Sequence, residues 1–312
     1  MIRGTVLARS RRRPPDGFRL LTALVALAAP ISLLLIVLLL AQQGAPAIQH
    51  YGFGFLTSRA WNPITLDFGA LAFIFGTVAT SLIALALALP VGVGVALFLA
   101  EPSAGRLRGS IGIGVELLAA IPSVVYGLWA VYVMAPFVLI HIEQPLAARF
   151  GSVGVLGGPA RGTSLFTASL VLSVMILPTL AAVSRDVIRA VPSGLRESSV
   201  ALGATWWETT WGVILPAARQ GIFGATVLAL GRALGETIAV TMVIGNRPEI
   251  PTSVFAPAYT LASVIANEFT EATGQLYSSA LIELGLVLML VTLTVNVLAQ
   301  LLVRSTAREA RA

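Results

Sequence analysis

The chain of 312 residues is 57% hydrophobic and only 11% charged, where an ordinary soluble domain is about a quarter charged. With a mean hydropathy of +0.90, it suits lipid and argues against a water-soluble α/β enzyme. All 20 basic residues are arginine, so the lysine of a phosphate-cradling Walker loop is absent, and without cysteine there is neither a disulfide framework nor a Cys-ligated metal site.

The net charge of +6 sits in short segments between apolar runs, a pattern of topology charges facing anionic lipid and not of a nucleic-acid surface. Residues 1–19 carry Arg3, Arg9, Arg11, Arg12, Arg13 and Arg19 and precede an uncharged run over 20–41. A cleaved signal peptide has an apolar region of only about 7 to 15 residues, so this run is read as a retained first span. Five further runs at 69–100, 111–140, 164–183, 221–245 and 276–303 are each long enough to cross a hydrocarbon core of about 30 Å as a helix. The second and third of the six exceed one crossing without sufficing for two, which predicts tilt or extension into the interface. Pro30, Pro90, Pro122, Pro136 and Pro178 fall inside the runs, where neighbouring helices can satisfy the freed carbonyls. The expected fold class is all-α: a polytopic membrane protein with six transmembrane helices over 20–303, flanked by tails at 1–19 and 304–312.

Placing both termini in the cytoplasm puts fifteen arginines inside, including Arg106 and Arg108 after span 2, Arg185, Arg189, Arg196 and Arg219 after span 4, and Arg304, Arg308 and Arg311 at the end. Only Arg59, Arg149, Arg161 and Arg247 fall outside, and Arg232 lies within a span. The positive-inside rule thus predicts a multi-pass inner-membrane protein with cytoplasmic termini. The outer connections are too short to bind a solute alone and the inner ones too short to hydrolyse nucleotide, so active transport would draw on partner chains.

The connection over 189–220, RAVPSGLRESSVALGATWWETTWGVILPAARQ, parses as two short helices. After Pro192 and Ser193, Leu195, Ser198, Ser199 and Leu202 fall on one face, and Gly203 supplies a C-terminal stop. Thr205 and Glu208 form a capping box that opens a second helix running to Leu215 and Pro216. Trp206, Trp207 and Trp211 read as interface anchors. Glu197, Ser198, Ser199, Gly203, Val213, Leu215 and Pro216 resemble in spacing the EAA loop of bacterial ABC importer permeases, with serine in place of both alanines. The resemblance implies a type I ABC importer permease fold in which the first loop helix docks into a groove of a cytoplasmic ATPase.

Within span 5, Arg232 and Glu236 are four residues apart and are expected on one helical face. A mid-membrane arginine costs at least about 2.5 to 3.5 kcal/mol on insertion scales and usually faces a bundle interior or aqueous cavity. Arg232 is therefore either a translocation-path residue, its guanidinium suited to phosphate oxygens, or half of a structural pair with Glu236. Gly231 and Gly235 mark close helix packing. Glu283 in span 6 is a further path candidate, whereas Glu116 reads as structural. His50 and His141 are isolated, no catalytic constellation appears, and no cofactor is expected.

The stretches FLTSRAWNP (55–63), ELLAAIPSVVYGLWA (116–130), GRALGETIAVTMVIGN (231–246) and TLASVIANEF (260–269) resemble the PstC-type permease of phosphate importers, over about residues 50–305. What this implies is a non-catalytic permease subunit paired with a second, PstA-type permease. A PstB-type ATPase dimer would sit beneath them, with an extracytoplasmic PstS-type phosphate-binding protein above. A molybdate or sulfate permease is the alternative within that class. A secondary transporter or channel gives no reason for the capped loop, and a non-transporting scaffold leaves Arg232 unexplained.

Overall fold

The computed structural model describes residues 17–100, 105–151, 153–158 and 160–309, with backbone alone for Phe18, Arg106 and 302–309. The tail arginines at 3, 9, 11, 12, 13 and 311 lie outside the described residues. In chain order the elements begin with α1 (Gly17–Tyr51), the single turn α2 (Gly54–Thr57), the strands β1 (Trp61–Asn62) and β2 (Asp67–Phe68), α3 (Leu71–Ala100) and α4 (Gly105–Ala120). Next come α5 (Ser123–Phe150), α6 (Leu165–Arg189), α7 (Ser193–Ala201), α8 (Trp206–Leu234), α9 (Ile238–Val243), α10 (Leu261–Glu268) and α11 (Gln275–Glu309). Six of them, α1, α3, α5, α6, α8 and α11, are long and apolar enough to cross a membrane, as lipid requires of a chain whose backbone must satisfy itself.

Burial ranks the helices. In α6, 61% of the most apolar stretch is buried, against none in α1, so α6 is the central helix and α1 lies along the outside against α11. The core around α6 is rich in alanine, with Ala84, Ala88, Ala168, Ala225, Ala229 and Ala233 set among Leu172, Ile176 and Leu180. Small residues let helices approach closely where lipid supplies no hydrophobic drive between them. Where α3 meets α6, a Cβ on Gly92 would lie 2.8 Å from Leu180 Cδ2.

Alternating crossings place the connection 189–206 at one end, where Arg189 Nη2 donates to the Leu99 carbonyl at 2.8 Å. The connections 51–71 and 234–275 gather at the opposite end around Phe55, Phe68, Phe73, Tyr259, Leu261 and Tyr277, and 150–165 joins 234–275 through the bond from Val254 N to the Val155 carbonyl at 2.9 Å. There Trp61 pairs with Phe68 across the small hairpin, and Trp61 Nε1 and Tyr277 Oη donate to Glu268 Oε2 at 2.8 and 2.7 Å. The carbonyl of Tyr259 presses against Gly76, and Leu261 N donates to Thr77 Oγ1 at 2.9 Å, which fixes α10 to α3. Burial raises the Tyr259 phenol above its ordinary pKa, with Asn267 Nδ2 donating to it at 3.0 Å.

Several boundaries differ from the sequence expectation. The first helix continues ten residues past 41, to Tyr51. The run 111–140 is not one helix: it divides between α4 and α5 at Pro122, which is extended (φ −61°, ψ 143°) and biases the residue before it away from helical geometry. The run 221–245 also divides, because α8 stops at Leu234 and α9 starts only at Ile238. Finally, the second loop helix does not end at Leu215 and Pro216. It passes through a wide turn at Thr210–Ile214, where Leu215 N donates to the Thr210 carbonyl, and runs on to Leu234. Widening the turn just before Pro216 lets the helix accommodate a residue that cannot donate.

Candidate functional site

The hairpin between α6 and α8 is built as its residues dictate. Pro192 is extended (φ −55°, ψ 132°) and opens α7. Gly203, at φ +87°, closes it in the left-handed region that a side chain rarely adopts. The capping box at Thr205 is complete: Thr205 N donates to Glu208 Oε2 at 2.8 Å, and Glu208 N donates back to Thr205 Oγ1 at 3.3 Å. A hydrogen bond between Ser199 Oγ and Thr209 Oγ1 at 3.0 Å ties the two helices together.

No residue of α7 is buried. Glu197 and Ser198 are exposed and Ser199 is half-buried. Leu202, at the turn, is 90% exposed, and Leu195, Val200, Trp206, Trp207 and Trp211 are all open as well. Leu215 is half-buried and Pro216 exposed on the continuing helix. The hairpin thus has fixed internal geometry and, among the described residues, carries exposed apolar side chains such as Leu195, Val200 and Leu202.

The second region is the end of α8. Arg232 lies in its last turn. Gly235 caps the helix and Glu236 falls in the gap before α9, with its N donating to the Ala233 carbonyl at 3.4 Å. Thr237 (φ −116°, ψ −69°) then starts α9, and Thr241 Oγ1 donates to its carbonyl at 2.7 Å. Since the helix breaks between them, Arg232 and Glu236 do not share one helical face, contrary to the expectation from their spacing. Among the described residues no ion pair joins the two. A glycine at 235 favours this break because it forfeits the most conformational entropy inside a helix.

Arg232 is exposed toward a groove of about 630 Å³ between α6, α8 and α11, lined also by Thr179, Gly231, Asn296 and Gln300. Asn296 and Gln300 were not singled out by the sequence. In the sequence they are two carboxamides one turn apart in the sixth apolar run, and only the fold sets them beside Arg232. Glu283 is buried against α1, where Gly44 meets its backbone. Its Oε2 is shut off from solvent without a hydrogen-bond partner, beside a cavity of about 480 Å³. Thirteen residues, roughly 20 Å of helix at 1.5 Å per residue, separate it from Asn296. The structure therefore does not bring Glu283 together with Arg232. Glu116 is exposed beside Arg108, Arg185 and Arg189 at the hairpin end.

A fully buried carboxylate, Glu143, also escaped the sequence reading. It accepts from Gly162 N at 2.9 Å, Ser164 Oγ at 2.6 Å and Thr167 Oγ1 at 3.3 Å. These bonds tie the end of α5 to the start of α6, where a helix N-terminus favours negative charge.

Six apolar crossings, one of them central, with a capped helical hairpin projecting between the fourth and fifth, define the membrane-spanning subunit of an importer-type transporter. The chain belongs to the family of binding-protein-dependent transport system inner membrane components, whose model matches residues 88–308. It is 49% identical over 267 residues to the phosphate transport system permease protein PstC of Mesorhizobium japonicum, covering 84% of this chain and 82% of that one. The PstC of Pasteurella multocida is 47% identical with coverages of 81% and 80%, and that of Xylella fastidiosa 42% with 93% and 90%. In fold the chain resembles a solved inward-facing MetNI methionine ABC transporter, with a TM-score of 0.55 at 18% identity over 75% of this chain and 94% of the other. The type I ABC importer permease fold expected from the loop is thereby found.

Proposed function

We propose that this chain is one of two membrane-spanning subunits of an ATP-driven importer of inorganic phosphate. In this reading a PstA-type permease completes the path and a PstS-type binding protein delivers phosphate at the end that gathers 51–71 and 234–275. A PstB-type ATPase dimer, which alone hydrolyses nucleotide, docks on α7 and the turn at Gly203. Glu197, Ser198, Ser199 and Gly203 meet the ATPase, and Leu215 and Pro216 carry its motion onward. Arg232 handles the passing anion, Glu236 flanks it at the helix break, and Glu283 is a more distant polar station. Both termini face the cytoplasm, so an export-dependent reporter fused after Ala312 stays inactive, and an active one contradicts that orientation.

The observation that carries the substrate is near-half identity, along more than four-fifths of the chain, with proteins named as phosphate permeases. Coupling is supported by the continuity of α8. The hairpin's second helix and the segment bearing Arg232 are one helix, so displacement at Trp206 is transmitted rigidly over 26 residues, roughly 39 Å. The test is uptake of labelled phosphate by the four-component complex in proteoliposomes. ATP and the binding protein are each required in this account, and excess molybdate or sulfate does not compete. Uptake without ATP points to a secondary transporter, and competition by sulfate to a different oxyanion.

A further inference from the structure

The groove beside Arg232 has a polar wall whose chemistry is more specific than a positive charge. Asn296 lies against the α8 backbone: a Cβ on Gly231 would stand 3.6 Å from its Nδ2. Its Oδ1 is shut off from solvent and lacks a hydrogen-bond partner, an arrangement folding disfavours unless something else gains from it. Asn296 also lines a second cavity of about 630 Å³, whose wall includes Gly235 at the helix break. The carboxamide therefore stands where the Arg232 groove meets the cavity at the end of α8.

An amide offers two donors on nitrogen and an acceptor on oxygen, and its two ends can exchange by rotation. Inorganic phosphate near neutral pH keeps at least one P–O–H group, whereas sulfate and molybdate are fully deprotonated. An arginine serves any of these oxyanions, but an acceptor in want of a donor serves only one that still carries a proton.

We propose that Asn296 contacts phosphate at this junction: its carboxamide turns so that the enclosed Oδ1 faces the groove and accepts from the P–O–H group while its nitrogen donates to an anionic oxygen, and Arg232 supplies the charge. The assignment rests on the phosphate-importer reading above. It makes Asn296 a specificity-determining residue of the membrane path, in addition to whatever selection the binding protein makes.

The test uses the complete complex in proteoliposomes with Asn296→Asp, which keeps the shape and an acceptor but loses the donors and adds a negative charge, and Asn296→Leu, which removes both functions. The readout is phosphate moved per ATP hydrolysed. Both variants are expected to lower it at least tenfold, with assembled complex and binding-protein-stimulated hydrolysis within twofold of the unsubstituted complex. An unchanged ratio in either assembled variant overturns the proposal. So does a parallel loss of hydrolysis and uptake in Asn296→Asp, which marks a structural role. If Asn296→Leu does not assemble, the near-isosteric Asp variant decides. The unsubstituted complex separates the two levels: if it moves no phosphate, both readings fall, and if it and both variants move phosphate equally, only the role of Asn296 falls.

Discussion

Arg232 ends one helix and Glu236 lies beyond it, in the gap before the next, and among the described residues no ion pair joins them. Four residues apart in an unbroken helix they would neutralise each other; across the break each faces its own surroundings. Glu236→Gln alone should therefore leave stability within about 0.5 kcal/mol of the unsubstituted chain. Thermal unfolding of the purified protein in detergent checks this, and a large drop restores the structural pair.

Gly203 tests the docking turn. Nothing lies within 4 Å of a Cβ added there, so within this chain a substitution meets only the strain of φ +87°, on the order of 1 kcal/mol. Gly203→Ala should insert normally and keep most uptake. Gly203→Asp should also insert, but lose ATP-driven uptake and co-purification with the ATPase, because it sets a charge into the docking surface. Equal co-purification of both variants speaks against docking at this turn.

The capping box at Thr205 holds the first turn of the helix that bears Arg232. Removing the cap with Thr205→Ala should cost about 1 kcal/mol and fray α8 where the ATPase pushes. Hydrolysis should persist while phosphate moved per ATP falls. Unchanged coupling would mean that force enters α8 beyond its first turn.

The bonds of Glu143 to Gly162, Ser164 and Thr167 predict a scaffold role. Glu143→Ala leaves Gly162 N and Ser164 Oγ without their buried acceptor, a loss of about 3 kcal/mol. The melting temperature in detergent should fall by several degrees, while uptake per folded complex stays near that of the unsubstituted protein. Loss of uptake in folded, assembled Glu143→Ala would move this carboxylate into the mechanism.

What the sequence made legible follows from local chemistry. Apolar length marked the six crossings, and Pro192, Gly203 and the Thr205–Glu208 box specified the hairpin, because those signals act within a few residues. Helix continuity was harder to read. Pro216 is the kind of residue that ends a helix, yet here the wide turn before it keeps α8 intact. Conversely, the apolar run through Gly235 gave no warning of the break after Leu234, since tertiary packing decides whether a glycine interrupts a helix. Glu143, Asn296 and Gln300 stayed hidden because their meaning depends on residues far away in sequence: on Gly162 and Ser164 for the first, and on Gly231 and Arg232 for the others.

The central claim, that Arg232 acts on the transported anion, is tested most directly by ATP-driven phosphate uptake per folded complex for Arg232→Gln, Glu236→Gln and the double variant. The coupling between the two positions can then be extracted. With the helix broken between them, Arg232→Gln should abolish uptake and the double variant should be equally inactive. Recovery of uptake in the double variant, in parallel with recovered stability, would contradict the role of Arg232 in the path and return the two residues to a neutralising pair.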